Sequence, residues 1–144
     1  MFHRKSDRLD KLARVPLFEG FSKRELRKIE QQATEVRAKP ERTLTKQGDR
    51  GREFLLILEG AARVERDGKT IARLKSGDVF GEMSLIDNEP RSASVIADGP
   101  MVLLVISRTV FSALLDSLPS LRRKIMVSLS HRLREADRKL GSRN

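Results

Sequence analysis

Apolar residues follow three different patterns along the chain, and these patterns divide it into three segments. In residues 1–33 they recur at intervals of three and four, which is the spacing of one helix face. In residues 34–106 they form short or alternating runs between Gly, Pro, Asp and Asn, as in a β-sandwich or barrel. In residues 107–140 the helical interval returns. The sequence therefore predicts a mainly β protein with α-helices on both sides of the strands.

Two helices are expected before the strands. Ser6 is a candidate cap for the first helix, which Pro16 is expected to end. Ser22 and Glu25 form an S-x-x-E capping box for the second helix, since each side chain can bond the other residue's amide.

Seven or eight strands are expected in the middle segment. The clearest strand runs from Phe54 to Leu58, and Asp67-Gly68 is a two-residue hairpin signal. The run from Met101 to Ile106 is apolar throughout, which predicts a strand that is buried on both faces.

The last helix, which is expected to begin near Pro119, carries an apolar stripe at alternating spacings of three and four. The stripe consists of Met126, Leu129, Leu133, Ala136 and Leu140. Two heptads are too few to indicate an independent coiled coil, so the stripe can face its own barrel or a second copy of the chain. The sequence leaves both possibilities open. Gly141 is expected to end the helix.

The composition excludes several classes of enzyme and metal site. The chain of 144 residues has no Cys and only two His, so it cannot form a disulfide, a thiolate zinc site or a multi-histidine metal site. A Ser/His/acid triad is equally improbable. Most hydrolytic chemistry is therefore improbable, and we expect the protein to hold no metal. No apolar run approaches the roughly 18 residues that span a bilayer, and the absence of a signal peptide predicts a cytoplasmic location.

The net charge of +10 is concentrated at the two ends of the chain. Residues 1–50 hold 14 Lys/Arg against 8 Asp/Glu, and residues 107–144 hold 9 against 3. The middle holds 7 against 9. The basic ends make polyanion binding, for example of nucleic acid, a second possible function. Because the chain lacks Trp and Tyr, it has few side chains for base stacking.

The segment most informative about chemistry is residues 77–97, which read GDVFGEMSLIDNEPRSASVIA. Gly81 permits close backbone approach to a ligand, and the first amides of the short helix that follows favour an anion. Arg91 offers a planar fork of donors to phosphate oxygens, and Ser92 adds a hydroxyl. Glu82 would repel phosphate but can accept a hydrogen bond from a ribose hydroxyl. Sugar and phosphate together indicate a nucleotide.

This segment resembles the phosphate-binding cassette of the cyclic nucleotide-binding domain family. That family includes catabolite-activator-like regulators, kinase regulatory subunits and nucleotide-gated channels. The resemblance rests on F-G-E-M-S-L at residues 80–85 and R-S-A-S-V at residues 91–95. It extends upstream to Gln47-Gly48-Asp49 and covers roughly residues 8–140. It implies an antiparallel β jelly roll, or double-stranded β-helix, with N-terminal helices and two C-terminal helices.

The resemblance also assigns ligand contacts. The candidate binding residues are Gly81, Glu82, Met83, Ser84, Arg91, Ser92 and Arg132. Glu82 would accept from the ribose 2′-hydroxyl, Arg91 would pair with the cyclic phosphate, and the other cassette residues would line that phosphate. In some bacterial channel domains of the family an arginine of the last helix caps the purine, and ungapped counting from Arg91 places Arg132 there. The favoured alternative is a solvated arginine, since most arginines on a basic helix are solvated. Where the family often has a glycine, this chain has Lys39-Pro40-Glu41, so we expect a rearranged turn there.

The implied function is that of a non-enzymatic cyclic nucleotide sensor, with cyclic AMP as the expected ligand and cyclic GMP possible. Residues 1–33 would be a helical segment, residues 34–106 the jelly roll with the cassette at 80–95, and residues 107–140 a lid with a possible dimer seam. Output would pass through the last helix to a protein effector or, through the Met126–Leu140 face, to a second copy. Only four residues follow Leu140, so specific DNA binding by a helix-turn-helix is not expected. The alternative is a degenerate scaffold that binds protein or a polyanion through its basic ends.

Overall fold

The structure, a computed structural model, describes residues 5–81 and 89–141. Before the sheets lie α1 (Lys5–Ala13), a short 3-10 helix (Pro16–Phe18) and α2 (Lys23–Gln32). The strands are β1 (Thr34–Ala38), β2 (Thr43–Thr45), β3 (Glu53–Glu59), β4 (Ala61–Arg66), β5 (Lys69–Lys75), β6 (Val79–Phe80), β7 (Ser94–Ala97) and β8 (Met101–Ser107). After them lie α3 (Arg108–Ser117) and α4 (Pro119–Gly141).

The eight strands within residues 5–81 and 89–141 form two four-stranded antiparallel sheets. The strand order is β1-β8-β3-β6 in the first sheet and β2-β7-β4-β5 in the second. Chain neighbours β3 and β4 lie in different sheets, and β8 returns to pair with both β1 and β3. This is the antiparallel jelly roll with flanking helices that the family resemblance implies, and the eight described strands agree with the expected seven or eight.

The first sheet separates two apolar clusters. The helix-side cluster is made of Leu12, Val15, Phe18, Leu26, Ile29, Phe54, Leu56, Leu58, Val102, Leu104, Ile106, Phe111, Leu114, Leu118, Leu121 and Ile125. The inter-sheet cluster is made of Ala38, Leu55, Ile57, Ala62, Phe80, Val95, Ala97, Met101 and Leu103. Since successive strand residues face opposite sides, β3 and β8 supply both clusters. The predicted burial of β8 on both faces is confirmed.

Two turns depend on backbone conformations that most residues avoid. Asp67 and Gly68 have φ values of 53° and 79° and join β4 to β5, which confirms the two-residue hairpin. In the turn after β1, the Arg42 amide donates to the Lys39 carbonyl at 3.2 Å, and Glu41 has a φ of 68°. Glu41 thus occupies a left-handed turn position that favours glycine.

Of the two N-terminal caps that the sequence predicts, one is confirmed and one is wrong. The capping box of α2 is confirmed, since the Glu25 amide donates to Ser22 Oγ at 3.1 Å and the Ser22 amide donates to Glu25 Oε1 at 2.9 Å. The proposed Ser6 cap is wrong. Helix α1 already includes Lys5, and a cap must precede the first helical residue.

Helix α4 packs on the jelly roll through its first half. Leu121 and Ile125 are buried in the helix-side cluster, and Leu129 packs against its edge. Met126 and Leu133, by contrast, are 66% and 65% exposed, so this part of the predicted stripe faces solvent and not the barrel. The side chains of Ala136 and Leu140 lie outside the described part of the chain. Within residues 5–81 and 89–141, no helix is both long and apolar enough to cross a bilayer.

Candidate functional site

The main chain of Arg91 is fixed by the loop that follows β2. The Arg91 amide donates to the Asp49 carbonyl at 2.8 Å, and the Arg91 carbonyl accepts from the Gly48 amide at 2.8 Å. The neighbouring residues Arg50 and Pro90 form an isolated antiparallel bridge. Because both the amide and the carbonyl of Arg91 are hydrogen-bonded to this loop, the main chain of Arg91 is fixed, and so is the point from which its side chain extends.

The guanidinium of Arg91 lies against Gly81. Its Nη2 donates to the Glu53 carbonyl at 2.8 Å. Gly81 has a φ of +97°, and a Cβ built there would lie 2.9 Å from Arg91 Nη1 and 2.6 Å from the Glu53 oxygen. No side chain fits in that space. Only glycine therefore lets the main chain at position 81 lie this close to the Arg91 guanidinium. The structure therefore brings together two of the predicted site residues.

The segment after Arg91 is held by two other parts of the chain. The Ser92 carbonyl accepts from Arg66 Nε at 3.1 Å, and Ser94 Oγ accepts from the Gln47 amide at 2.8 Å. These bonds tie the segment to β4 and to the loop after β2. The Ser92 residue itself is exposed, so its hydroxyl is accessible to a ligand.

A cavity of about 700 Å³ opens beside Arg91. It is lined by Thr43, Leu44, Thr45, Lys46, Gly48, Asp49, Arg50, Arg52, Glu53 and Arg91. Leu44 also packs against the inter-sheet cluster, so the cavity adjoins the interior of the jelly roll. Four cationic residues and two carboxylates line the cavity, which makes its walls favourable for an anion.

Four other predicted site residues lie wholly or partly outside the described residues. Glu82, Met83 and Ser84 lie outside the described residues. Arg132 lies on α4, where the structure describes the main chain but not this side chain. Among the described residues that line the cavity, none comes from α4.

Two contributions to the site were missed from the sequence. These are the Glu53 carbonyl, which orients the guanidinium, and the loop amide and carbonyl of Gly48 and Asp49, which fix the Arg91 main chain. Gln47-Gly48-Asp49 belongs to the resemblance, so its presence was a signal. The sequence could not predict that this loop fixes the Arg91 main chain, because main-chain hydrogen bonds do not depend on side-chain identity.

A second arginine, on the outer face of the other sheet, has a different environment. Arg63 pairs with the carboxylates of Glu41, Glu65 and Asp98, and the last two contacts measure 2.7 Å each. Hydrogen bonds to these three carboxylates raise the pKa of Arg63 above its usual range. The hydrogen bond from Arg63 lowers the pKa of Glu41. Arg63 thus ties the unusual Glu41 turn to β4 and has a structural role.

Comparison with known proteins agrees with this geometry. Residues 35–117 match the family described as cyclic nucleotide-binding domain. The cyclic AMP receptor protein of Thermus thermophilus is 39% identical over 99 residues, which cover 65% of this chain and 46% of that protein.

Two solved structures are similar over most of the chain. The catabolite activator protein of Thermus thermophilus has a TM-score of 0.81 at 34% identity, with 88% of this chain and 62% of that one covered. The regulatory domain of Toxoplasma gondii PKA, crystallised with cAMP, has a TM-score of 0.74 at 27% identity, with 87% and 50% covered.

The comparisons cover different shares of this chain and of its relatives. The chain spans less than half the length of the curated relatives it matches. The family match nevertheless includes more than half of this chain, and it contains Gly81, Arg91 and Ser92. The chain therefore belongs to the cyclic nucleotide-binding domain family and is homologous to cyclic AMP-binding regulators.

Proposed function

We propose that the protein is a cytoplasmic, non-enzymatic sensor of cyclic AMP that reports binding through α4. The observation that carries this proposal is the meeting of Gly81 and Arg91 beside an anion-favouring cavity. A cyclic nucleotide has a single phosphate charge, and the guanidinium of Arg91 offers that phosphate a charge-assisted hydrogen bond. Relatives named for cyclic AMP support this nucleotide as the proposed ligand, and cyclic GMP is the alternative.

The remaining ligand contacts follow from the cassette. Glu82 would accept from the ribose 2′-hydroxyl, and Met83 and Ser84 would offer amides to the phosphate together with Gly81. Ser92 would add its exposed hydroxyl. In this assignment residues 34–106 bind the nucleotide, while residues 107–140 receive the signal.

Helix α4 is a suitable output element because its two halves differ. Its first half is fixed to the helix-side cluster through Leu121 and Ile125. Leu133, in the second half, is 65% exposed. We propose that the second half folds toward the bound nucleotide and brings Arg132 over the purine. Ligand can shift this equilibrium only by its difference in affinity for the two states, so a tenfold preference supplies about 1.4 kcal/mol.

The protein that reads this movement would contact the exposed stripe of α4. Met126 and Leu133 present apolar surface to solvent, and such surface suits a protein partner. A protein effector or a second copy of the chain would cover it.

The proposal is tested by calorimetric titration of the nucleotide-stripped protein with cyclic AMP. Cyclic GMP and 5′-AMP serve as controls. Since the chain lacks Trp and Tyr, residual nucleotide is visible in the ultraviolet spectrum, so stripping can be verified. We expect saturable binding of cyclic AMP, weaker binding of cyclic GMP and much weaker binding of 5′-AMP.

Other outcomes have definite meanings. Tighter binding of cyclic GMP than of cyclic AMP would overturn the assigned ligand but not the site. If folded protein bound neither cyclic nucleotide, the sensor would be rejected. The fold would then be a degenerate scaffold, and the basic ends would become the leading candidates for its activity.

A further inference from the structure

Three cations stand at the mouth of the cavity in addition to Arg91. Lys46, Arg50 and Arg52 all line the cavity, and all three are exposed. None of their side chains forms an ion pair within residues 5–81 and 89–141. In contrast, Arg8 forms a 2.6 Å ion pair with Glu30, and Arg63 contacts three carboxylates. The charges at the mouth are therefore not neutralised by direct partners in the described structure.

The loop that carries these cations is held close to Arg91. Arg50 bridges Pro90, and the Arg52 carbonyl accepts from the Arg108 amide at 2.8 Å. With the two hydrogen bonds of the Arg91 main chain, these contacts fix the loop at both ends. The three positive charges consequently share one opening with the guanidinium that is proposed to receive the phosphate.

Charges at such a mouth act mainly on the approach of a ligand. A cleft lined by one sign of charge concentrates field lines and raises association rates by about 10- to 1000-fold. Exposed charges at the rim of a site change the association rate and its salt dependence, whereas buried partners change the dissociation rate. The carboxylates of Asp49 and Glu53 reduce this field but leave the lining net positive.

We propose that Lys46, Arg50 and Arg52 form an encounter site. It attracts the nucleotide phosphate to the cavity before the phosphate reaches Arg91. This inference rests on the proposed function and adds the residues that set the rate of ligand capture. Nucleotides whose phosphate groups carry more charge are attracted to the same cavity mouth. Discrimination against these nucleotides therefore depends on the contacts that the cassette residues make with the bound ligand.

The test is stopped-flow measurement of association and dissociation with cyclic AMP that carries a fluorophore on C8 of the base. This label leaves the phosphate and the ribose free. The rim variant is Lys46→Gln/Arg50→Gln/Arg52→Gln. Its matched control is Arg24→Gln/Arg27→Gln/Lys28→Gln, which removes three exposed charges from α2 and gives the same net charge.

We expect the rim variant to bind roughly five to ten times more slowly at low salt, with a dissociation rate within about twofold of the parent. The control variant should keep the parental association rate to within about twofold. Raising the salt from about 0.01 to 0.2 M should remove most of the difference, since the screening length falls below 10 Å. Circular dichroism checks that each variant is folded, and Arg52→Gln alone is available if the triple variant is not.

Several results would overturn the encounter site. Equal slowing in both triple variants would mean that only the total charge matters. An unchanged association rate in the folded rim variant would mean that the three residues do not act on capture, and faster dissociation alone would make them direct binding contacts. Failure of the parent protein to bind at equilibrium would reject the proposed function, and the encounter site with it. The first three results would leave that function intact.

Discussion

The two faces of the first sheet carry clusters of different composition. The helix-side cluster contains Phe18, Phe54 and Phe111, and the last two rings stack with centroids 4.9 Å apart. The inter-sheet cluster contains one phenylalanine, Phe80, together with three alanines, and Leu44 and Val64 at its edge are only partly buried. Large side chains on the helix side pack against the flanking helices, while on the other side Leu44, which packs against the inter-sheet cluster, also lines the cavity.

This difference shows how one sheet can serve two tasks. Strands β3 and β8 take part in both clusters, so one sheet carries the helix-side cluster on one face and the inter-sheet cluster on the other. Stability should therefore depend on both faces, while ligand binding should depend on the face that adjoins Arg91.

The largest expected effects come from two adjacent leucines of β8. Leu103 belongs to the inter-sheet cluster and Leu104 to the helix-side cluster, and each is 1% exposed. Leu103→Ala and Leu104→Ala should each lower the free energy of unfolding by about 2 to 5 kcal/mol. Urea denaturation measures this loss.

Hydrogen exchange separates the two leucine variants. Leu104→Ala should speed amide exchange in α3 and α4, because its side chain supports the helices. Leu103→Ala should speed exchange in β4 and β7 instead. The same exchange pattern in both variants would contradict the division into two clusters.

An intermediate effect is expected from a pair of glycines. Gly81 and Gly60 both have a φ of +97°, and a Cβ at either would lie 2.6 Å from a carbonyl oxygen. Only Gly81 adjoins Arg91. Gly81→Ala and Gly60→Ala should each cost at least about 1 to 3 kcal/mol of stability, because both combine strain with a clash.

Cyclic AMP affinity distinguishes the two glycine variants. Calorimetry should show a loss of at least about tenfold for Gly81→Ala and little change for folded Gly60→Ala. Equal affinity in the two variants would mean that Gly81 does not form part of the binding site.

A smaller effect is expected at the capping box on the helix side. Ser22→Ala should lower the free energy of unfolding by about 1 kcal/mol. The Ser22 amide and the Ser120 hydroxyl both hydrogen-bond the Glu25 carboxylate and lower its pKa from the ordinary value of 4.5. Glu25 therefore stabilises the fold above pH 4.5, and this contribution is lost as the pH falls through its lowered pKa.

The pH dependence of unfolding checks this sign. The stability difference between the parent and Glu25→Ala should shrink as the pH falls below 4.5. Glu25→Gln, which can still accept a hydrogen bond, is the matched control. A difference that grew under acid would contradict the assigned role of the carboxylate.

The sequence predicted the fold well where side-chain pattern determines it. The apolar run of β8 and the positive-φ dipeptide Asp67-Gly68 correspond directly to a buried strand and a hairpin. The pattern of Met126 and Leu133 was less decisive. A helical stripe specifies that residues share a face, but not whether that face is covered, and here both are exposed.

Within the candidate site, residue types were easier to predict than their supports. Gly81 and Arg91 were identified from the chemistry they offer, and the structure brings them together. The supports of Arg91 are the Glu53 carbonyl and the main chain of the loop after β2, which any sequence can provide. The cations at the cavity mouth were also missed, because their grouping depends on how that loop folds.

The most direct test of the account is the calorimetric affinity of Arg91→Ala for cyclic AMP, measured beside Arg24→Ala. Both variants remove one positive charge, but Arg24 is exposed on α2 and does not line the cavity. We predict that Arg91→Ala loses about 2 to 5 kcal/mol of binding free energy, at least about thirtyfold in affinity. Arg24→Ala should bind like the parent. If folded Arg91→Ala bound cyclic AMP as tightly as the parent, the assignment of this cavity as the nucleotide site would be wrong.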